Sequence, residues 1–199
     1  MFVMKRKSIN LTTLKILLRP ETDLEHALLG VPEFQIGMDW GEPRFGHPEG
    51  KVAYHIREVL DNIDQVTAVS TKDRARLRII AFAHDTFKYL EDRSSPRDWS
   101  RHHAAIAKEY MSDFTSDQVI LEIIGSHDDA YYAWLNERKN VENLRHKTLE
   151  SLTSRLDYCL QLFYLFFKCD SLTGDKTLAP VTWFESKAQG ITITPIERK

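Results

Sequence analysis

Six side chains of metal-binding type are spread along the chain: His55, the adjacent pair His84 and Asp85, His103, His127 and Asp170. Imidazole and carboxylate are donors that divalent cations take from proteins. Four imidazoles with two carboxylates make a mixed nitrogen and oxygen set, which suits Fe, Mn, Ni, Co or Zn rather than Ca or a bare Mg site. Each residue also falls on or beside the inward face of a predicted helix. An imidazole buried there alone costs free energy unless it is hydrogen-bonded, and an ionised aspartate costs more. One or two divalent cations at a common point would neutralise them all. A single histidine on an apolar face is more often a satisfied core residue, so only the set, one contribution per helix, points to a metal.

The elements that must position these residues read as helix upon helix. Val52, His55, Ile56, Val59, Leu60 and Ile63 recur at three- and four-residue spacing, an amphipathic helix with His55 on its buried face. Thr71 caps a second, whose Leu77, Ile80, Ala81, His84, Phe87 and Tyr89 run inward while Lys72, Arg74, Arg76 and Arg78 face out. His84 and Asp85 differ by about 100° around that helix, so one metal can take both. Ser94, Ser95, Pro96 and Asp98 break it, and a third helix begins near Ser100 with His103, Ala107, Tyr110 and Met111 on one stripe. Ser116 and Asp117 start a fourth, with Val119, Ile120, Ile123, Ile124, His127 and Tyr131. A long helix from about Val141 to Asp170 closes the set, its apolar face running from Leu149 to Phe166. Upstream, prolines and glycines from Pro32 to Gly50 predict an irregular segment between Leu29 and Lys51, set apart from a short helical N-terminal region. After Pro180 a short helix and an extended Ile191 to Ile193 segment are expected. The predicted fold class is all-α.

Composition narrows the function. The 199 residues carry Lys+Arg 27 against Asp+Glu 29, a formal net charge of −2, and are 42% hydrophobic. That balance excludes a basic nucleic-acid coat and an acidic disordered tail, and it supplies a core for one domain. Nucleic acid and membrane are not expected partners. The greasiest stretch, Leu160 to Phe167, is far shorter than the ~20 apolar residues of a membrane span. Lys5, Arg6 and Lys7 are followed by Asn10, Thr12, Thr13 and Lys15 without a small-residue cleavage signal, so no secretory signal is read. Cys159 and Cys169 lie in the most apolar stretch and read as buried reduced thiols, which places the protein in the cytoplasm.

Other residues complete the candidate site. Lys88 lies one helical turn beyond His84, where it can neutralise phosphate charge or, equally on spacing alone, stand as a solvated surface lysine. Arg93, Arg97 and Arg101, between the second and third helices, can form a rim for an anionic substrate, and a solvated loop explains them equally well. Asp128 and Asp129 can hydrogen-bond a ligand imidazole or accept a proton, but read better as exposed charges. The segment holding Met38, Trp40, Arg44, Phe45 and His47 leads into His55; its aromatics either stack a base or, the preferred reading, cover the bundle. His26 and His146 read as structural or surface residues.

The order His55, His84-Asp85, His103, His127, Asp170 resembles the H…HD…H…H…D pattern of the HD-domain superfamily of metal-dependent phosphohydrolases, over roughly Phe45 to Asp175. His84-Asp85-Thr86-Phe87-Lys88 is similar to the family's H-D-x-x-K element, with Phe87 where glycine is common. His47-Pro48-Glu49-Gly50-Lys51-Val52-Ala53-Tyr54-His55 is similar to the H-P-E-G-x-V-x-x-H segment of HD domains in bacterial CCA-adding enzymes. For the third histidine His103 is preferred over His102, because small Ala107 follows it by one turn as in relatives. The resemblance implies one compact helical bundle of the HD type over residues 1–199, with a core of about 45–175, an extension 1–44 and a tail 176–199. It implies a minimal site of His55, His84, Asp85 and Asp170 around one ion. His103 and His127 then leave room for a second ion, with Asp85 bridging. The implied activity is hydrolysis of a phosphate ester of a nucleotide or another small phosphorylated metabolite, by hydroxide that the ions activate. Two other readings use the same residues: a mixed-valent di-iron oxygenase and a non-catalytic nucleotide-binding regulatory module.

Overall fold

The computed structural model describes residues 8–67, 69–139 and 148–198. It is all-α, and among the described residues there is no strand. Three short helices lead in: α1 (Leu11–Leu18), α2 (Asp23–Gly30) and α3 (Pro32–Asp39). The α3 helix occupies much of the segment predicted to be irregular. Pro32 sits in its first turn, where the missing N–H costs nothing, so the proline that looked like a breaker is a helix start. The irregular stretch proper is 40–51.

The site-bearing helices are α4 (Val52–Ile63), α5 (Thr71–Ala83), α6 (His103–Met111), α7 (Gln118–Ser126) and, farther along, α10 (Leu160–Ser171). The α5 helix is central, packing on α4, α7 and α10, and it is buried continuously from Leu77 to Ala83. Its N-cap is Ser70 rather than Thr71; the Ser70 hydroxyl accepts from the Asp73 N–H at 3.0 Å. Arg78, expected to face outward, is buried and its Nε lies 2.9 Å from Glu25 on α2, an ion pair that ties the lead-in helices to the bundle.

Three predicted helices end or begin elsewhere. The second stops at Ala83 instead of running to Tyr89; Thr86 turns its hydroxyl back onto the Phe82 carbonyl at 2.6 Å, and a 3-10 turn follows at Lys88–Leu90. Gly37 of α3 packs against this turn so closely that a Cβ there would stand 1.8 Å from the Thr86 carbonyl oxygen. The fourth helix splits at His127 and Asp128 into α7 and α8 (Asp129–Lys139). The long fifth helix is two, α9 (Leu149–Leu156) and α10, joined by a 3-10 turn at Asp157–Cys159. Its predicted start at 141–147, with His146, lies outside the described residues, as do Lys5, Arg6 and Lys7. The tail forms α11 (Ala179–Lys187), and Ile191 to Ile193 pair with no strand.

Cys159 and Cys169 are buried free thiols. Among the described residues no helix is long and apolar enough to cross a membrane.

Candidate metal centre

The ends of the helices, more than their faces, build the site. His84 and His127 are the C-cap residues of α5 and α7, and His103 is the first residue of α6. His55 comes from the first turns of α4 and Asp170 from the last turn of α10. The four imidazoles are 3% exposed or less. They converge as two pairs: His55 Nε2 lies 3.2 Å from His84 Nε2, and His103 Nε2 lies 3.2 Å from His127 Nε2.

Asp85 stands between the pairs and gives each one oxygen. Its Oδ2 is 3.4 Å from His55 Nε2 and 3.5 Å from His84 Nε2; its Oδ1 is 3.4 Å from His103 Nε2 and 3.5 Å from His127 Nε2. Each pair has a second carboxylate. Asp170 Oδ1 lies 2.9 Å from His55 Nε2 and 3.8 Å from His84 Nε2. Asp128 Oδ2 lies 3.4 Å from His103 Nε2 and 3.5 Å from His127 Nε2.

Groups behind the rings orient them. His84 Nδ1 donates to the Ala81 carbonyl at 3.0 Å and His127 Nδ1 to the Ile124 carbonyl at 2.8 Å, each back along its own helix. Carboxylates stand behind the other two without a hydrogen bond: Glu49 Oε1 is 3.4 Å from His55 Nδ1, and Glu91 Oε1 is 3.4 Å from His103 Nδ1. A neutral ring whose Nδ1 carries the proton presents Nε2 as a bare lone pair. Nε2 atoms of four rings and anionic oxygens of three aspartates thus converge, and Asp85 Oδ1 is buried with no hydrogen-bond partner. Carboxylates gathered this closely call for positive charge among them, which protons on the rings or a bound cation supply. His55, His84 and Asp85, and likewise Asp85, His103 and His127, bring donor atoms within 4.8 Å of one another. The residues fit a metal.

The electrostatics agree. Burial alone would raise the Asp85 carboxyl, yet His84 and Lys88 hold it well below the usual carboxylate range. Asp170 is likewise held down, against burial, by Lys176 and His55. Burial also works against Asp128, which His127 and His103 keep low, and against Glu91, which His103 draws down to about 2. The centre is thus a set of obligate anions. His127 is pushed up to about 9, Asp128 and Asp85 overcoming the effect of burial, whereas burial moves His84 down.

A cavity of about 350 Å³ opens onto this cluster, lined by Asp85, His127, Asp128 and Asp170 together with Lys88 and Lys176. The Lys88 ammonium pairs with Asp85 Oδ2. Lys176 Nζ lies 3.0 Å from Asp170 Oδ1. Neither Arg97 nor Arg101 is among the lining residues, so the expected arginine rim forms elsewhere. Arg97 is bound by Glu91 and lies over the Trp99 ring, 4.7 Å from its centroid; Arg101 pairs with Asp92 at 2.8 Å with its side chain 63% exposed. Carboxylates of the same loop claim both guanidinium groups. Arg93 also turns to Glu91, at 2.9 Å.

His103, not its neighbour, faces Asp85; His102 caps α6, its Nδ1 accepting from the Ala104 N–H at 3.2 Å. Asp128 and Asp129 are not the exposed charges expected. Asp128 faces the imidazoles, and Asp129 is fully buried with Arg155 Nη2 at 2.6 Å. The signal for Asp128 was present, since His127-Asp128 repeats the dipeptide His84-Asp85. Glu49 lay in view inside the H-P-E-G segment. Glu91 and Lys176 carry no sequence signal. His26 is exposed.

A family model described as the HD domain matches residues 42–156, more than half of the chain. No curated protein and no solved structure matches it. The match takes in His55, His84, Asp85, His103 and His127 and ends before Asp170, which α10 carries back to the same point. On that match and this cluster, the chain belongs to the HD-domain family, a superfamily of metal-dependent hydrolases.

Proposed function

We propose that the protein is a metal-dependent phosphohydrolase that cleaves a phosphate ester of a nucleotide or another small phosphorylated metabolite. The observation that carries this reading is the Asp85 carboxylate turned by opposite oxygens to two pairs of imidazole nitrogens, beside a cavity lined by two lysines. His55, His84, Asp85 and Asp170 would hold one divalent transition-metal ion; Asp85, His103 and His127, with Asp128, would hold a second. The donor set suits Fe, Mn, Ni, Co or Zn. Such ions supply Lewis acidity toward a phosphoryl oxygen and a bound water of lowered pKa.

The chain's own residues do the rest. Lys88 and Lys176 neutralise phosphate oxygens that enter the cavity, and each is steered by the carboxylate it already pairs with. Asp85 holds the two halves at fixed separation. Asp128, kept anionic by its imidazole neighbours, serves as a donor rather than as a proton acceptor near neutral pH. Glu49 and Glu91 keep the His55 and His103 rings in register. A single HD-type domain over 1–199 is supported by one apolar cluster running from Ile9 to Ile196, and a reducing, cytoplasmic setting by the two free buried thiols.

The test is elemental analysis of the purified protein combined with turnover of a nucleotide and phosphoester panel under added Mn, Fe, Co, Ni and Mg. Retained metal with metal-dependent release of phosphate is expected. Absence of both sinks the reading, and iron-dependent oxygen consumption without phosphate release replaces it with the oxygenase.

A further inference from the structure

We propose that Phe45 and Tyr131 form a ring-binding rim to the cavity, so that the preferred substrates are phosphate esters whose alcohol carries a flat aromatic ring. The inference rests on the phosphohydrolase reading and narrows its substrate class.

Phe45 is 90% exposed, although it belongs to a residue type that usually lies inside. The exposure is built in. Phe45 sits in a tight two-residue turn closed by mutual backbone hydrogen bonds between Arg44 and His47, at 3.1 and 2.9 Å. Gly46, the other residue of the turn, takes φ +83°, a conformation open to glycine. Its N–H donates to Asp175 Oδ1 at 2.6 Å, which pins the turn to the loop after α10. A chain held this way keeps the phenyl ring in water at the cavity edge, where it covers none of the bundle. The preferred expectation for this aromatic therefore fails, while buried Met38 and half-buried Trp40 of the same segment do pack on the core.

Tyr131 reaches the same cavity from the first turn of α8, three residues past Asp128, and is 41% exposed. Its ring is steadied by Trp134, centroid to centroid 5.8 Å. The cavity thus combines carboxylates, imidazoles and two ammonium groups with exposed aromatic faces from two separate elements. A phosphate alone would use only the charged part. A phosphate joined to a flat ring uses both, because aromatic side chains stack on such rings without needing a particular hydrogen-bond pattern.

The test compares adenosine 5′-monophosphate with ribose 5-phosphate, which lacks only the base, on the full chain loaded with Mn, for wild type, Phe45→Ala and Phe45→Trp. Wild type should favour the ring-bearing ester in kcat/KM. Phe45→Ala should reduce that preference about tenfold, through KM, and Phe45→Trp should keep it. The same ratio is read in equilibrium binding of the two esters to the metal-free protein by calorimetry. No preference for the base in wild type, or equal losses on both esters in Phe45→Ala, overturns the proposal. If neither ester is turned over, the phosphohydrolase reading is decided by its own phosphoester panel, and the binding ratio alone decides for or against the rim.

Discussion

The His55–His84 half of the centre and the His103–His127 half follow one plan with different surroundings. In each, a histidine at a helix C-terminus is held by a carbonyl of its own helix, and a histidine near a helix N-terminus has a glutamate behind it. Each also takes one oxygen of Asp85. They part at the second carboxylate. Asp170 comes from the end of a well-packed helix, its side chain 16% exposed, with one oxygen 2.9 Å from His55 Nε2. Asp128 sits in the break between α7 and α8, 29% exposed and no nearer than 3.4 Å to an imidazole of the centre. Both lysines of the cavity also serve the first half: Lys176 pairs with Asp170, and Lys88 with the Asp85 oxygen that faces His55 and His84. On the proposed function, the first half would retain an ion and receive phosphate charge, while the second, more open, would exchange its ion more readily.

The strongest way to break this comparison is to remove what the halves share. Asp85→Ala should abolish metal retention and lower turnover by about a thousandfold or more, the loss of several kcal/mol of charge stabilisation, with helical content by circular dichroism largely intact. Unchanged activity would remove Asp85 from the mechanism. Asp170→Asn against Asp128→Asn then sets one half against the other. In chelator competition, Asp170→Asn should cost about a hundredfold in affinity for the tighter ion and Asp128→Asn about tenfold for the weaker, taking outer-partner losses as the floor; equal losses would make the halves equivalent. Behind the rings, Glu49→Gln and Glu91→Gln should each weaken only their own half, by about tenfold, in the same titration. Lys88→Gln and Lys176→Gln should raise KM for a phosphate ester by about tenfold with metal content kept, the worth of one charge-assisted hydrogen bond. Arg101→Ala should leave turnover within about twofold and stability within about 1 kcal/mol, as for other exposed ion pairs. A larger effect in steady-state kinetics would return the arginine rim to the site.

Much of the bundle and of the candidate donor cluster was legible because helical periodicity is a local property. Apolar spacing exposed α4, α5, α6 and α7, and His55, His84, His103 and His127 stood out on or beside their inward faces. What escaped lies where helices stop. Thr86 turning back on Phe82, and Gly37 pressing against that turn, end α5 at Ala83; nothing in the spacing of Phe87 and Tyr89 announces it. Asp128 was undervalued although His127-Asp128 repeats the His84-Asp85 dipeptide, because a lone charge beside a helix end reads as solvated until the fold places it. The break after α7 turns it back toward the imidazoles.

From its own residues the sequence determined the all-α class, the donors and their order, since these follow from side-chain chemistry and from a repeat only a few residues long. Tertiary structure alone decided which oxygen of Asp85 serves which imidazole pair, that Glu91 and not the cavity takes Arg97, and that Lys176 and Phe45 stand at the cavity. Those outcomes depend on how distant helices cross and where each one ends. Contacts between residues tens of positions apart leave no periodic trace in a single chain.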